Sequence, residues 1–188
     1  NANAESPELV VNYAVSGAAT TGVDHDADAS GDVAFEAGQT VATVVVDPAA
    51  DAVVELSETV TVTVTAGSSY AIAAASAIAT GTIADDDRAA VTIQDVTAVE
   101  GVGLLYTVML DNAVQDPFDV HVTFVDETAT GGTDYDNAPV TLNFVGNPGE
   151  THQFTVATNN DLILEGNETF KVQLDATSSN GLLLPGDL

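Results

Sequence analysis

One acidic pattern occurs twice along the chain at a fixed offset. Asp24, Asp51, Glu55 and Glu58 recur as Asp134, Asp161, Glu165 and Glu168, each displaced by 110 positions. Their neighbours recur with them: Thr21-Gly22-Val23-Asp24 resembles Gly131-Gly132-Thr133-Asp134, and Glu55-Leu56-Ser57-Glu58-Thr59-Val60 resembles Glu165-Gly166-Asn167-Glu168-Thr169-Phe170. A repeat of this kind means two copies of one domain. The boundary falls at Asp85-Asp86-Asp87, which divides the chain into residues 1–87 and 88–188.

Within each copy the readable hydrophobic period is two. Val60-Thr61-Val62-Thr63-Val64-Thr65, Val120-His121-Val122-Thr123-Phe124 and Phe170-Lys171-Val172-Gln173-Leu174 alternate apolar and polar residues, the pattern of half-buried strands. Valine and threonine dominate because β-branched side chains suit a pleated surface better than a helix. Turn signals such as Ser16-Gly17, Ala66-Gly67 and Asn147-Pro148-Gly149 separate the runs, and no amphipathic helix is evident. The expected class is therefore all-β, a pair of tandem sandwiches. Each E-x-x-E immediately precedes an alternating strand, which places it in the turn entering that strand.

Charge narrows the function. Against 29 Asp and Glu stand only Lys171 and Arg88, a net charge of -27. Most carboxylates must be solvated or neutralised by something other than a side chain, and metal cations are the natural candidates. Nucleic acid is excluded as a partner because it needs a basic footprint. The same repulsion argues against anionic membrane surfaces, and the longest small-apolar run, Ala71 to Ala79, is too short to insert in a bilayer. Cysteine is absent, so neither disulfides nor thiolate metal sites contribute. The core must be aliphatic and unevenly distributed: 24 of 29 alanines lie in residues 1–100, which predicts less apolar burial in the first half.

The ordered pattern T-x-G-x-D, D-x-x-x-E-x-x-E-T-[VF]-x-V and T-G-T-I-x-D-D-D resembles the Calx-beta domain of sodium–calcium exchangers, integrin-associated proteins and long bacterial surface proteins. The likeness covers nearly the whole chain, with three motifs in the first copy and two in the second. It implies two immunoglobulin-like Greek-key sandwiches that bind Ca²⁺ at one pole. By motif, the implied ligands of the first copy are Asp24, Asp51, Glu55, Glu58, Asp85, Asp86 and Asp87. Those of the second are Glu100, Asp134, Asp161, Glu165 and Glu168. The family often has paired acids before E-x-x-E, whereas this chain has Ala50-Asp51 and Asn160-Asp161, which implies fewer or weaker ions.

Laying one copy on the other predicts that both are incomplete at the chain ends. The stretch 90–118 has almost no counterpart before Leu9, so the first copy lacks its first strands. Leu188 aligns with Ile78, so the second lacks its last strand and its acidic run. With Asn1 in first place, the chain is expected to be a piece of a longer array or an assembling subunit in which another copy donates strands.

Calcium is a hard cation that takes six to eight oxygens at about 2.3–2.6 Å, so it needs carboxylates gathered from several loops. A halophilic surface would explain the net charge but not the recurrence of particular acids at one offset. The local D-x-D-x-D rhythm from Asp24 lacks Gly at its sixth position and Glu at its twelfth, which excludes an EF-hand. Asn167-Glu168-Thr169 has the form of a glycosylation sequon but lies within the E-x-x-E turn. No nucleophile motif, histidine pair or tryptophan-lined cleft supports catalysis. The expectation is a calcium-binding structural or adhesive module of an extracellular or cell-surface protein, in which ions at the linker stiffen an array. Its partners would be adjoining domains or other copies. The alternatives are a calcium sensor and a self-assembling filament or matrix subunit.

Overall fold

The computed structural model describes residues 8–178. The stretches at which the repeat alignment predicts missing strands, 1–7 and 179–188, lie outside the described residues. Twelve strands follow in chain order: β1 (Leu9–Gly17), β2 (Ser30–Phe35), β3 (Val53–Val54), β4 (Glu58–Val64), β5 (Ile78–Ile83), β6 (Val91–Ile93), β7 (Leu104–Leu110), β8 (Ala113–Val114), β9 (Phe118–Asp126), β10 (Val140–Phe144), β11 (Thr151–Val156) and β12 (Phe170–Ser178). Among the described residues the one helical element is a single 3-10 turn at Ala74–Ser76, and the fold is all-β. Two compact units emerge. Unit 1 comprises Asn1–Asp51 with Ser57–Asp85, and unit 2 comprises Ala52–Leu56 with Asp86–Leu188.

Unit 1 is one antiparallel sheet in the order β2-β1-β4-β5. Of the alternating valines predicted on β4, Val60 is buried and Val62 and Val64 are half-buried, and Val15 of β1 joins Val60 with Tyr13, Val46, Val62 and Ile83 packed at their margin. Among the described residues its buried apolar side chains are Val15, Ala19, Ala27 and Val60. Residues 41–46 are the repeat counterpart of β11 but form no strand, and Val41 and Val45 are exposed. In unit 2 the ladder partner of β11 is β7. Among the described residues, 41–46 pair with no strand.

Unit 2 is a sandwich of two antiparallel sheets, β11-β7-β6 and β10-β9-β12. The chain crosses between the sheets from β7 to β9, returns from β10 to β11 and crosses again to β12, a Greek-key path. Strict alternation on β7 turns Leu104, Tyr106, Val108 and Leu110 inward, against Phe118, Val120 and Val122 of β9 and Leu142 and Phe144 of β10. Stacked rings reinforce this core, Tyr106 on Phe154 and Phe118 on Phe144, each with centroids 5.2 Å apart. Such pairs add about 0.5–1.5 kcal/mol beyond their area burial. The two-residue strands β3 and β8 pair in parallel, and Val54 joins the unit 2 core.

Candidate metal centres

The T-x-G-x-D motif folds the same way in both repeats. In the first, Gly22 adopts φ +79°, and its amide donates to the His25 carbonyl at 2.8 Å. The Asp24 amide donates to the Thr20 carbonyl at 2.9 Å, while the Thr20 amide donates back to Asp24 Oδ2 at 2.5 Å. In the second, Gly132 has φ +80°, the Asp134 amide donates to the Thr130 carbonyl at 2.9 Å, and the Thr130 amide donates to Asp134 Oδ2 at 2.7 Å. A Cβ at either glycine would meet nothing within 4 Å, so glycine is required for its left-handed backbone rather than for space. One carboxylate oxygen of each Asp is thereby fixed to the backbone.

The threonine after E-x-x-E holds the second limb of each site. Ala19 N donates to the Thr59 carbonyl at 3.1 Å, and both Thr128 N and Ala129 N donate to the Thr169 carbonyl at 3.0 Å. Glu58 opens β4 and Glu168 stands just before β12, so the strand-entry turn anticipated for E-x-x-E delivers these acids to the Asp loops. The result is two carboxylate groups, Asp24 with Glu55 and Glu58, and Asp134 with Glu165 and Glu168. Within each, one oxygen per residue lies within 4.8 Å of the others.

Electrostatics show the strain of this arrangement. Burial, then a hydrogen bond and repulsion from Asp24, raise the Glu58 carboxyl above its ordinary range. Asp24 is itself buried, and its Oδ1 accepts no hydrogen bond from the described residues. A buried carboxylate oxygen without a donor is costly. In the second group, desolvation and then the charges of Glu168, Asp161, Asp134 and Glu100 raise Glu165. Desolvation and then chiefly Asp134 and Glu100 raise Glu168.

The predicted ligands therefore divide. Glu100 and Asp161 are near enough to the second group to act on its acids. Glu100 lies in the turn closed by Val102 N donating to the Val99 carbonyl, and a Cβ on the adjoining Gly101 would come within 3.1 Å of Asn160. Asp51, Asp85, Asp86 and Asp87 belong to neither close carboxylate group among the described residues. What sequence reasoning missed is the scaffold: the Thr20 and Thr130 amides and the Thr59 and Thr169 carbonyls. Thr59 and Thr169 recur at the same offset and could have been marked on that ground.

Three convergent oxygens of hard carboxylates, no cationic side chain among them and an unpartnered buried Asp24 oxygen fit a hard divalent cation. Duplicated on β-sheet units, they define a tandem calcium-binding β-protein. The Calx-beta domain family model matches residues 2–96 and 84–187, and the chain belongs to that family. Calx-beta domains are Ca²⁺-binding modules, and Asp24, Glu55 and Glu58, like Asp134, Glu165 and Glu168, are close enough together that they could hold a metal ion. Similar solved structures include calcium binding domain CBD12 of CALX1.1, 23% identical with a TM-score of 0.38, covering 93% of this chain and 70% of that one. CBD12 from CALX1.2 is 24% identical with a TM-score of 0.36, covering 90% and 67%. The apo-form Calx CBD1 domain is 20% identical with a TM-score of 0.37, covering 41% and 68%. No curated protein matches the chain.

Proposed function

We propose that this tandem pair is a non-catalytic, calcium-dependent structural or adhesive module of an extracellular or cell-surface protein, one segment of an array whose stiffness depends on bound Ca²⁺. The observation that carries the reading is the same carboxylate geometry built twice, with desolvation and then the neighbouring carboxylates raising Glu58, Glu165 and Glu168. Two like charges 4 Å apart repel by about 1 kcal/mol in water and about 4 at an effective dielectric of 20. A divalent cation replaces that repulsion with attraction, so binding is coupled to ordering of the loops. The run Asp85 to Asp87 lies where the sequence repeats meet, and in this reading it adds oxygens to the ion-bound state. Adjoining domains or other copies are the partners, joined end to end or by strand donation. Among the described residues no helix is long and apolar enough to cross a membrane.

Calorimetric titration tests this. A module of an extracellular array binds Ca²⁺ with dissociation constants of about 10⁻⁴–10⁻³ M, whereas about 10⁻⁷–10⁻⁵ M defines a sensor. Melting with Ca²⁺, Mg²⁺ and chelator at constant ionic strength gives the companion result: selective stabilisation by Ca²⁺ supports the reading. Equal stabilisation by both ions defeats it in favour of a halophilic surface.

A further inference from the structure

The loop carrying E-x-x-E does something in the first repeat that its counterpart leaves undone. Val53 and Val54 form β3, which pairs in parallel with β8 of unit 2, Val53 opposite Ala113 and Val54 opposite Val114. Gln115 N donates to the Val54 carbonyl at 3.0 Å, and Gln115 Nε2 donates to Glu55 Oε1 at 3.0 Å. The Val54 side chain is 4% exposed within the core that contains Val114, Phe118 and Phe144. An apolar pair followed by a glutamate is thus a plug, and β8 with Gln115 is its socket.

At the offset of 110, Ala52-Val53-Val54-Glu55 becomes Leu162-Ile163-Leu164-Glu165. The apolar character is kept and enlarged, yet Ile163 is 65% exposed and Leu164 100% exposed. Ile163 N donates to Asp161 Oδ1 at 2.6 Å, which holds the segment in a local turn. Three consecutive exposed aliphatic residues in a chain this acidic are a liability unless something covers them.

We infer that Leu162-Ile163-Leu164 is a docking plug for another Calx-beta domain, which receives it at its own β8 edge in the parallel register that Val53–Val54 uses here. Leu164 takes the buried place of Val54, Ile163 that of Val53, and Glu165 accepts from the glutamine equivalent to Gln115. The occupant follows from the molecule itself, because the same loop in the other repeat is seated in such a socket. This rests on the array reading above and gives it a contact: each domain plugs into the next through the loop that also carries its metal ligands.

The test uses the full chain as its own partner and NMR as readout. Because Val53–Val54 already fills the socket, the labelled chain carries Val54→Ala, which weakens the resident plug, and unlabelled wild-type chain is added in excess Ca²⁺. The expected result is saturable shift changes at Ala113, Val114 and Gln115, weakened at least about tenfold when the added chain carries Leu164→Asp. Should V54A fail to fold, labelled wild-type chain serves, with the same resonances responding at about tenfold higher partner concentration. No response at Ala113–Gln115 up to millimolar partner, an undiminished response to L164D, or an L164D-sensitive response confined to another surface each overturns the inference. Resonances of Asp134 and Glu168 report Ca²⁺ in the same samples, so a calcium response without docking rejects the plug and leaves the metal reading standing.

Discussion

The two repeats divide stability and ion binding in opposite ways. Unit 1 buries four apolar residues, two of them alanine, behind a single sheet, whereas unit 2 closes two sheets over a core that includes Val108, Leu110, Val120 and Val122, all fully buried. Yet the acids of the poorer core are the more enclosed: Asp24 is buried and Glu58 half-buried, while Glu165 and Glu168 are exposed. The ring that packs under the second Asp loop is also better secured. Tyr135 stacks on Phe170 at 3.9 Å and donates to Asp126 at 2.6 Å, whereas its counterpart His25 is buried with Nδ1 lacking a hydrogen-bond partner among the described residues. A unit rich in packing can leave its ion site open to water, while the unit poor in packing concentrates its carboxylates in a desolvated site, where an ion is worth more.

The largest test of this contrast is in the core. Phe144→Ala removes a buried ring stacked on Phe118 and edge-on to His152 and is expected to destabilise unit 2 by about 3–5 kcal/mol. Val60→Ala removes two methyl groups from unit 1 and should cost about 1.6 kcal/mol. In calorimetry the wild type is expected to melt in two steps, unit 1 first, with each substitution moving only its own step. A single transition shifted by both variants would show that the cores are not separate cooperative bodies.

Calcium follows in size. At a hundredfold excess over the dissociation constant an ion adds about 2.7 kcal/mol to the state that binds it. Asp24→Asn keeps an acceptor for the Thr20 amide while removing the charge, so it should abolish the Ca²⁺ response of the lower transition and spare the upper. Asp134→Asn should do the reverse. Calcium should also shift the lower transition further, because its acids are the more desolvated; an equal shift would break the link between enclosure and ion dependence.

How much of this was legible in the sequence depends on whether a feature repeats. The acids of both close groups share one offset, and the T-x-G-x-D turn and the strand-entry position of E-x-x-E follow from local backbone chemistry, so sequence reasoning reached them. Lower apolar burial in the first half was visible in its alanines. Features made by single contacts between distant residues were not visible: the seating of Val54 against β8, the burial of His25, or the missing ladder for residues 41–46. Alternation shows that a segment suits a strand but not whether a partner strand exists to receive it.

Glu150 is a carboxylate of another kind, and it gives a smaller effect confined to unit 2. Burial alone would raise it, but His152 Nε2 at 2.8 Å and the amides of Val145, Asn147 and Gly146 outweigh that and hold it below its ordinary range. It therefore needs no ion. Glu150→Gln retains the shape but loses the charge that collects these donors, and should lower the upper transition by about 1–3 kcal/mol. Its Ca²⁺ response should not change, and a loss of that response would make Glu150 part of the ion site.

Acid should then separate the two kinds of carboxylate by sign. Glu58, Glu165 and Glu168 have folded values above the ordinary 4.5, so the folded state binds their protons more tightly than the unfolded chain. In chelator the cost of desolvating and crowding these charges is fully present above the raised values and is relieved as the pH falls towards 4.5, so both transitions should rise on mild acidification. Glu150 lies on the other side: its stabilisation is present above 4.5 and is lost as the pH falls below 4.5 through its depressed folded value. The upper transition in chelator should therefore pass through a maximum near that pH, and Glu150→Gln should flatten its acid side. Saturating Ca²⁺ should invert the slope above the maximum, because protons then compete with the ion for the same oxygens. A chelator profile that falls steadily from pH 7 would mean that desolvation and neighbouring charge do not penalise the clustered acids in the folded protein, and the account of why they need a cation would fail.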